Sequence, residues 1–390
     1  MRAVRNVLFL GSVLSLAACG GSEMDMQQDE LGESLAPLHQ AAPGMGIQGD
    51  YIVKLKDGAN ARSVAAILGV SPNHIYDTAL NGFSVTLDAA QLKQLRQSRD
   101  VEFVEEDQFA IESATQTGAT WGLDRIDQTS NTLNGTYTYN NTASNVNAYI
   151  IDTGIQTNHP QFGGRASVGY DAIGDGRNGQ DCNGHGTHVA GTVGGSTYGV
   201  AKAVKLYAVR VLGCTGSGSN SGVIAGIDWV RTNHKKPAVA NMSLGGGYSA
   251  ATNTAVTNLS NAGVFVAVAA GNDNSNACNY SPASAPVVTT VGATTSTTAR
   301  ATYSNYGSCV DIYAPGSSIT SAWTGSGTST ISGTSMASPH VAGVAALYKG
   351  TYGDASQATI DTWLKNNATN NVVSGNPSGT VNKLLNKGSL

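Results

Sequence analysis

The sequence predicts an α/β fold, a mainly parallel sheet flanked by helices, preceded by a small α+β domain. Three observations carry that expectation. From residue 121 onward strand-like and helix-like stretches alternate, which implies right-handed crossovers between parallel strands. Residues 264–270 are continuously apolar, as a strand buried on both faces requires. Residues 50–105 instead set two short helical patterns among half-buried alternating strands.

With 390 residues the chain has room for two or three domains. Residues 1–19 read as an export signal: Arg2 and Arg5, then an apolar run over 7–18 that is too short to span a bilayer. That run ends in Leu16-Ala17-Ala18-Cys19-Gly20, which resembles a bacterial lipoprotein cleavage box with Cys19 carrying the lipid. An ordinary signal peptide cut near a cysteine is the alternative. Residues 20–48, rich in Gln, Met, Gly and acids, are expected to be an unstructured tether.

The domain expected over residues 49–113 has the order β-α-β-α-β, with strands at 51–55, 82–87 and 101–105 and one more short strand near 74–79. Its first helix covers 60–68. Asp88 caps the second, with Gln91 three residues on as in a capping box. The segment has no Cys and no catalytic-looking cluster, so its residues alone suggest a binding module.

Charge then changes sign. Residues 20–113 hold 6 Lys/Arg against 15 Asp/Glu, a balance of −9; residues 114–390 hold 14 against 11, a balance of +3, with no Glu. Two segments of opposite sign read as bodies meant to meet. No basic patch interleaves with aromatics, so a nucleic-acid partner is not expected.

In the large segment, strands are expected at 146–151, 205–212, 238–242 and 264–270, with a helix at 222–231. Asp152-Thr153-Gly154, Ser243-Leu244-Gly245 and Gly271-Asn272 follow three of these strands, at the carboxyl ends where ligands gather in such sheets. Gly184-His185-Gly186-Thr187-His188 opens a small-residue helix. Gly333-Thr334-Ser335-Met336-Ala337 leads into Pro339 and an apolar run to residue 348. Pro339 fits the first turn of a helix, which places Ser335 near free N–H groups and a positive dipole end. Singly, each motif has a plainer reading. Ser335 is an N-cap, Asp-Thr-Gly is a turn or an aspartic-protease carboxylate, and His185 with His188 is a metal pair lacking a third ligand at a familiar spacing.

Together, in the order Asp, His, Ser, the three motifs resemble the signatures of the subtilisin-like serine proteases. Trp121-Gly122-Leu123-Asp124-Arg125-Ile126 is similar to the mature start of the proteinase K-like branch, which includes aqualysin. The resemblance covers residues 114 to about 386 and implies a subtilisin-like catalytic domain over 114–390. It implies Ser335 as nucleophile, His185 as base, Asp152 as its orienting carboxylate and Asn272 as an oxyanion donor. It further implies that Ser243, Leu244, Gly245, Ala269, Ala270 and Gly271 wall the first specificity pocket, and that Gly216, Ser217 and Gly218 pair with substrate backbone. Walls of Gly and Ala leave room for large apolar or aromatic side chains.

Five cysteines in an exported chain leave four once Cys19 takes lipid, and four allow three pairings. The resemblance implies Cys182–Cys214 and Cys278–Cys309, each closing a loop worth about 3–4 kcal/mol in the chain-entropy model. It implies calcium at Asp311 with the carbonyls of Pro286 and Val288, and at Asp124, Asp127 and Gln128; no organic cofactor is expected. Residues 49–113 resemble the family's inhibitory propeptide, with self-cleavage between Ser113 and Ala114. The expected protein is thus a secreted monomer acting on proteins and peptides, held to a membrane only through a lipid on its precursor. Two other classes compete: a catalytically dead surface lipoprotein and a His185/His188 metalloprotease.

Overall fold

A computed structural model describes residues 35–41, 46–108 and 114–390, which fall into two compact units within Met1–Ala110 and Ile111–Leu390. Cys19, the export signal and Ser113 lie outside the described residues. No described helix is long and apolar enough to cross a membrane.

In the first unit, β1 (Leu38–His39), β2 (Gly46–Leu55), β3 (Pro72–Tyr76), β4 (Gly82–Thr86) and β5 (Val101–Gln108) form one sheet, ordered β1-β5-β2-β4-β3. Helices α1 (Ala61–Leu68) and α2 (Ala89–Arg96) begin where side chains satisfy their first N–H groups. Asn60 accepts from Ser63 N, and Asp88 and Gln91 close a full capping box. Val64, Ala65 and Leu95 of these helices join Val53, Phe83, Val85 and Val104 of the sheet in one core. Where residues of the stretch expected over 20–48 to be an unstructured tether are described, some of them are ordered against the sheet. Leu38 and His39 pair with Val104 and Glu105, and Gly46 with Gln108. Leu35 is buried and Leu38 packs on the core, which offsets the entropy of ordering a polar stretch.

The second unit opens with β6 (Ala114–Thr117), α3 (Trp121–Ile126) and β7 (Thr136–Tyr139), β6 and β7 forming an antiparallel pair. Then come β8 (Asn147–Asp152), β9 (Ala166–Asp171), α4 (His185–Gly194), β10 (Lys205–Arg210), α5 (Asn220–Asn233) and β11 (Ala238–Met242). After them lie β12 (Gly246–Gly247), α6 (Ala250–Asn261), β13 (Phe265–Ala269), β14 (Tyr280–Ser281), β15 (Thr289–Thr294) and β16 (Ile312–Pro315). The hairpin β17 (Ile319–Trp323) and β18 (Gly327–Ile331), α7 (Thr334–Tyr352), α8 (Gln357–Asn367), β19 (Thr369–Asn370) and β20 (Lys383–Leu384) complete it. Nine strands make the main sheet in the order β19-β20-β16-β15-β13-β11-β8-β10-β9, parallel throughout except for the β19–β20 pair.

Strand alternation divides the core. Ala148 and Ile150 of β8 join one apolar cluster with residues of α4, α7 and α8, while Tyr149 and Ile151 join another with α5 and α6. Both faces of the sheet are therefore covered, which explains why β13 is apolar at every position. Helix α7 lies deepest, with Val341, Val344, Ala345 and Leu347 fully buried. Gly343 lets it pack closely: a Cβ there would stand 2.5 Å from Val200 Cβ. Gly343→Ala is expected to destabilise the fold by about 1–3 kcal/mol through overpacking, read as a lower urea midpoint in inhibitor-blocked protein; an unchanged midpoint would show that this contact relaxes freely.

Candidate active site

Asp152 is the last residue of β8 and has no exposed surface. Its Oδ1 accepts from the backbone N–H of Thr153 at 2.7 Å and lies 2.8 Å from His185 Nδ1. His185 is the first residue of α4, delivered there by Gly184 at φ +111°. Gly186 lets the helix approach the β8 turn, since a Cβ would fall 2.1 Å from the carbonyl oxygen of Gly154. A second carboxylate organises the loop before α4. Asp181 accepts from Thr153 Oγ1, the N–H groups of Asn183, Gly184 and Thr187, and Thr187 Oγ1, at 2.6–3.0 Å. Burial works against a charged His185 ring, yet the charge and hydrogen bond of Asp152 and the charge of Asp181 outweigh it, raising the pKa above the usual 6.5.

Ser335 is the second residue of α7, which starts at Thr334, so Pro339 sits inside the helix rather than in its first turn. The consequence reaches the serine. Pro339 has no N–H to give the carbonyl four residues back, which is that of Ser335. Ser243 Oγ donates to that carbonyl at 2.7 Å instead. Asn241 supports the arrangement, donating to Ser243 Oγ at 2.8 Å and accepting from Ser338 Oγ at 2.7 Å. The Ser335 hydroxyl itself donates to the Ser243 carbonyl at 3.2 Å, so rotation about one side-chain bond is needed to aim it at His185.

Asn272 follows β13 at the same end of the sheet. Its Oδ1 accepts from Thr334 N at 2.8 Å and Thr334 Oγ1 at 2.9 Å, which assigns the free amide N–H groups to the other side. Asn305 holds the loop around it, donating to Ala270 O and accepting from the N–H groups of Asp273 and Ser275. His185, Asn272 and Ser335 line a cleft of about 450 Å³ with Gly216, Ser217, Gly218, Ser243, Leu244 and Gly245. Adjoining it, Leu244, Gly245, Ala269, Ala270, Gly271, Asn272 and Ser335 share a pocket of about 210 Å³ with Tyr280.

The subtilase family model matches residues 144–384, and the model of peptidase inhibitor I9 matches residues 50–110. The chain belongs to the subtilase family. This subtilase is 49% identical to an extracellular serine proteinase of Thermus sp. (strain Rt41A), over 97% of each chain. It is 50% identical to the subtilisin-like serine protease AsES of Sarocladium strictum, over 90% of this chain and 92% of that one. A crystal structure of a cold-adapted subtilisin-like serine proteinase superposes with a TM-score of 0.68 at 54% identity, covering 70% of this chain and 99% of that one. The protein is a serine protease with an inhibitor-type segment before its subtilase domain.

The second histidine of the subtilase helix keeps one ring nitrogen, Nδ1, buried without a partner. His188 Nε2 faces the carbonyls of Ile319 and Ser329 and so carries a proton, while burial lowers the ring pKa to about 4. Among the described residues, the one cluster of three metal-capable side chains is Asp175, Cys182 and Cys214, and its sulfurs are joined to each other. A second disulfide joins Cys278 and Cys309. The two oxygen sets behave differently. Asp124 takes N–H donors on both oxygens, from Gln128, Asn134 and Gly135, and Asp127 takes Thr138 N on Oδ2. Asp127 Oδ1 is buried without a partner, an orphaned acceptor that suits a cation. Asp311 has none to spare: Lys365 Nζ lies 2.8 Å from Oδ1, and Thr290 N donates to Oδ2 at 2.9 Å.

Asp181, Asn241, Asn305 and Thr334 are site-building residues that sequence reasoning missed. Only the position of Asp181, four residues before His185, gave any hint of a role. Asp181→Asn leaves at least two of its five donors without an acceptor, each worth about 1–3 kcal/mol. Urea unfolding should show a loss of about 2–4 kcal/mol, and a loss below 0.5 would contradict this account of the loop.

Proposed function

We propose that this subtilase is a secreted, self-processing serine endopeptidase that cleaves peptide bonds through an acyl-enzyme. The observation that carries the reading is the buried Asp152–His185 hydrogen bond, 2.8 Å long, opening onto a cleft shared with Ser335 and Asn272. In this reading His185 Nδ1 gives its proton to the hydrogen bond with Asp152, which leaves Nε2 as the base. Ser335 Oγ turns from the Ser243 carbonyl to His185, loses its proton to Nε2 and attacks the substrate carbonyl carbon. The oxyanion that forms takes hydrogen bonds from the Asn272 amide and the Ser335 N–H; losing one such donor costs about 3–4 kcal/mol in related enzymes. His185 then returns the proton to the leaving amine, and water repeats the sequence to release the acyl group.

The edge Gly216, Ser217 and Gly218 pairs with substrate backbone, which is blind to sequence. The pocket walled by Ser243, Leu244, Gly245, Ala269, Ala270 and Gly271 favours large apolar or aromatic side chains before the cut. Residues 49–113 act as propeptide, released by cleavage between Ser113 and Ala114; Ala114 then begins β6 as the new N-terminus. A lipid on Cys19 stays with the propeptide, and the monomeric enzyme leaves the membrane. Calcium at Asp124, Asp127 and Gln128 would neutralise buried carboxylate charge and tie the start of the mature chain.

Three outcomes follow. A serine-directed fluorophosphonate labels Ser335 in the processed protein; absence of label there ends the catalytic reading. The Ser335→Ala chain, expressed alone, stays at full length, and a processed product from it would rule out self-cleavage. The His185 pKa lies above 6.5, so the imidazole is protonated and inactive over a wider acid range and kcat/KM falls as pH drops through that raised value. Asp152→Asn should lower kcat by about 10⁴-fold and move the acid limb to lower pH, since the largest raising influence is gone. A limb that moved up would contradict the assignment.

A further inference from the structure

The cavity expected to hold calcium at Asp311 already contains a cation of the protein's own. Asp311 directly precedes β16, while Asp361 and Lys365 lie one turn apart on α8. The Lys365 ammonium lies 2.8 Å from Asp311 Oδ1 and 2.6 Å from Asp361 Oδ2. The remaining oxygens are also committed: Thr290 N donates to Asp311 Oδ2 and Thr289 Oγ1 to Asp361 Oδ1, both at 2.9 Å. Four carboxylate oxygens thus meet three donor groups, the Lys365 ammonium serving two of them. Pro286 and Val288, whose carbonyls the resemblance implies as ligands, line the same cavity of about 430 Å³ as Asp311, Asp361 and Lys365.

Calcium is held by six to eight oxygens, and the two carboxylates it would need here are already neutralised by an ammonium in contact with both. A divalent ion entering beside that ammonium meets strong charge repulsion, so its binding costs Lys365 its two charge-assisted hydrogen bonds. Nor is the ammonium poorly held. Burial works against its charge, yet the two carboxylates outweigh that and raise its pKa. The contrast within the molecule is direct: Asp127 keeps an orphaned buried oxygen, whereas Asp311 and Asp361 keep none.

We propose that Lys365 is the resident cation of this cavity, joining the strand segment at Asp311 and Thr290 to α8 and excluding calcium from the position where the sequence resemblance implies it. The link between sheet and helix is then independent of calcium, while the set at Asp124 and Asp127 retains its dependence. The inference does not need the catalytic reading, and its test uses no activity.

Full-length protein carrying Ser335→Ala, to prevent self-digestion, is stripped with chelator and dialysed against calcium up to about 1 mM. Bound calcium per folded chain is then counted, with far-UV circular dichroism as the check on folding. Lys365→Met should bind one more ion than the parent, and Lys365→Met with Asp311→Asn should return to the parent count. Asp311→Asn alone should leave the count unchanged. An unchanged count for Lys365→Met, or loss of one ion in Asp311→Asn, overturns the proposal. The Asp311→Asn arm decides the matter even where Lys365→Met fails to fold.

Discussion

A carboxylate with no exposed surface, Asp152, ends the interior strand β8, and its hydrogen bond to His185 is what the surrounding structure serves. A buried charge without a partner is strongly destabilising, so the loop that delivers the imidazole has to be held in place. Three devices hold it. Gly184 and Gly186 allow the close approach, Asp181 gathers five donors, and the Cys182–Cys214 disulfide fastens the loop to the segment after β10. Arg210, fully buried at the end of β10, ties the same region through Asp171 and Asp175 and lies 3.4 Å from Cys182 Sγ. The neighbouring strands supply the frame, since Arg210 and Asp152 are register partners.

Ser335 is positioned by a different means. A proline inside α7 withholds one helical hydrogen bond, and Ser243 fills the gap with its side chain. The pocket wall and the nucleophile's own carbonyl are therefore one unit, extended through Asn241 to Ser338. Thr334 connects that unit to Asn272, and Asn305 connects Asn272's loop to the chain beyond β15. The site is assembled from strand ends, which supply Asp152, Ser243 and Asn272, and from the first turns of two helices, which supply His185 and Ser335, all fastened to one another by hydrogen bonds. Its chemistry needs that rigidity, because donors aimed in advance at a developing charge need not reorganise.

Legibility from sequence followed the physical signal. Strands β8, β11 and β13 were readable because burial on both faces makes them largely apolar, and α2 because its capping box is local. Helix α6, with the sequence AATNTAVTNLSN, was missed: its Thr and Asn residues are weak helix formers, and packing of Val256 and Leu259 decides its state. Strand β9 was missed as a sheet edge without a clean alternation, and β15 because Thr and Gly fill four of its six positions. Pro339 was read as a helix start because no local rule announces that a serine 96 residues earlier will replace its missing bond. Asp361 and Lys365 have the spacing of any i,i+4 pair on a helix surface, which singles out neither in the sequence. Only the fold brings Asp311 to them.

The account stands on which nitrogen of His185 carries the proton. Nitrogen-15 NMR of histidine-labelled protein, titrated across the neutral range, reads this directly. It should show Nδ1 protonated throughout and Nε2 gaining its proton with a midpoint above 6.5. A neutral ring protonated on Nε2, or a midpoint at or below 6.5, would show that the hydrogen bond to Asp152 does not set the state of the base.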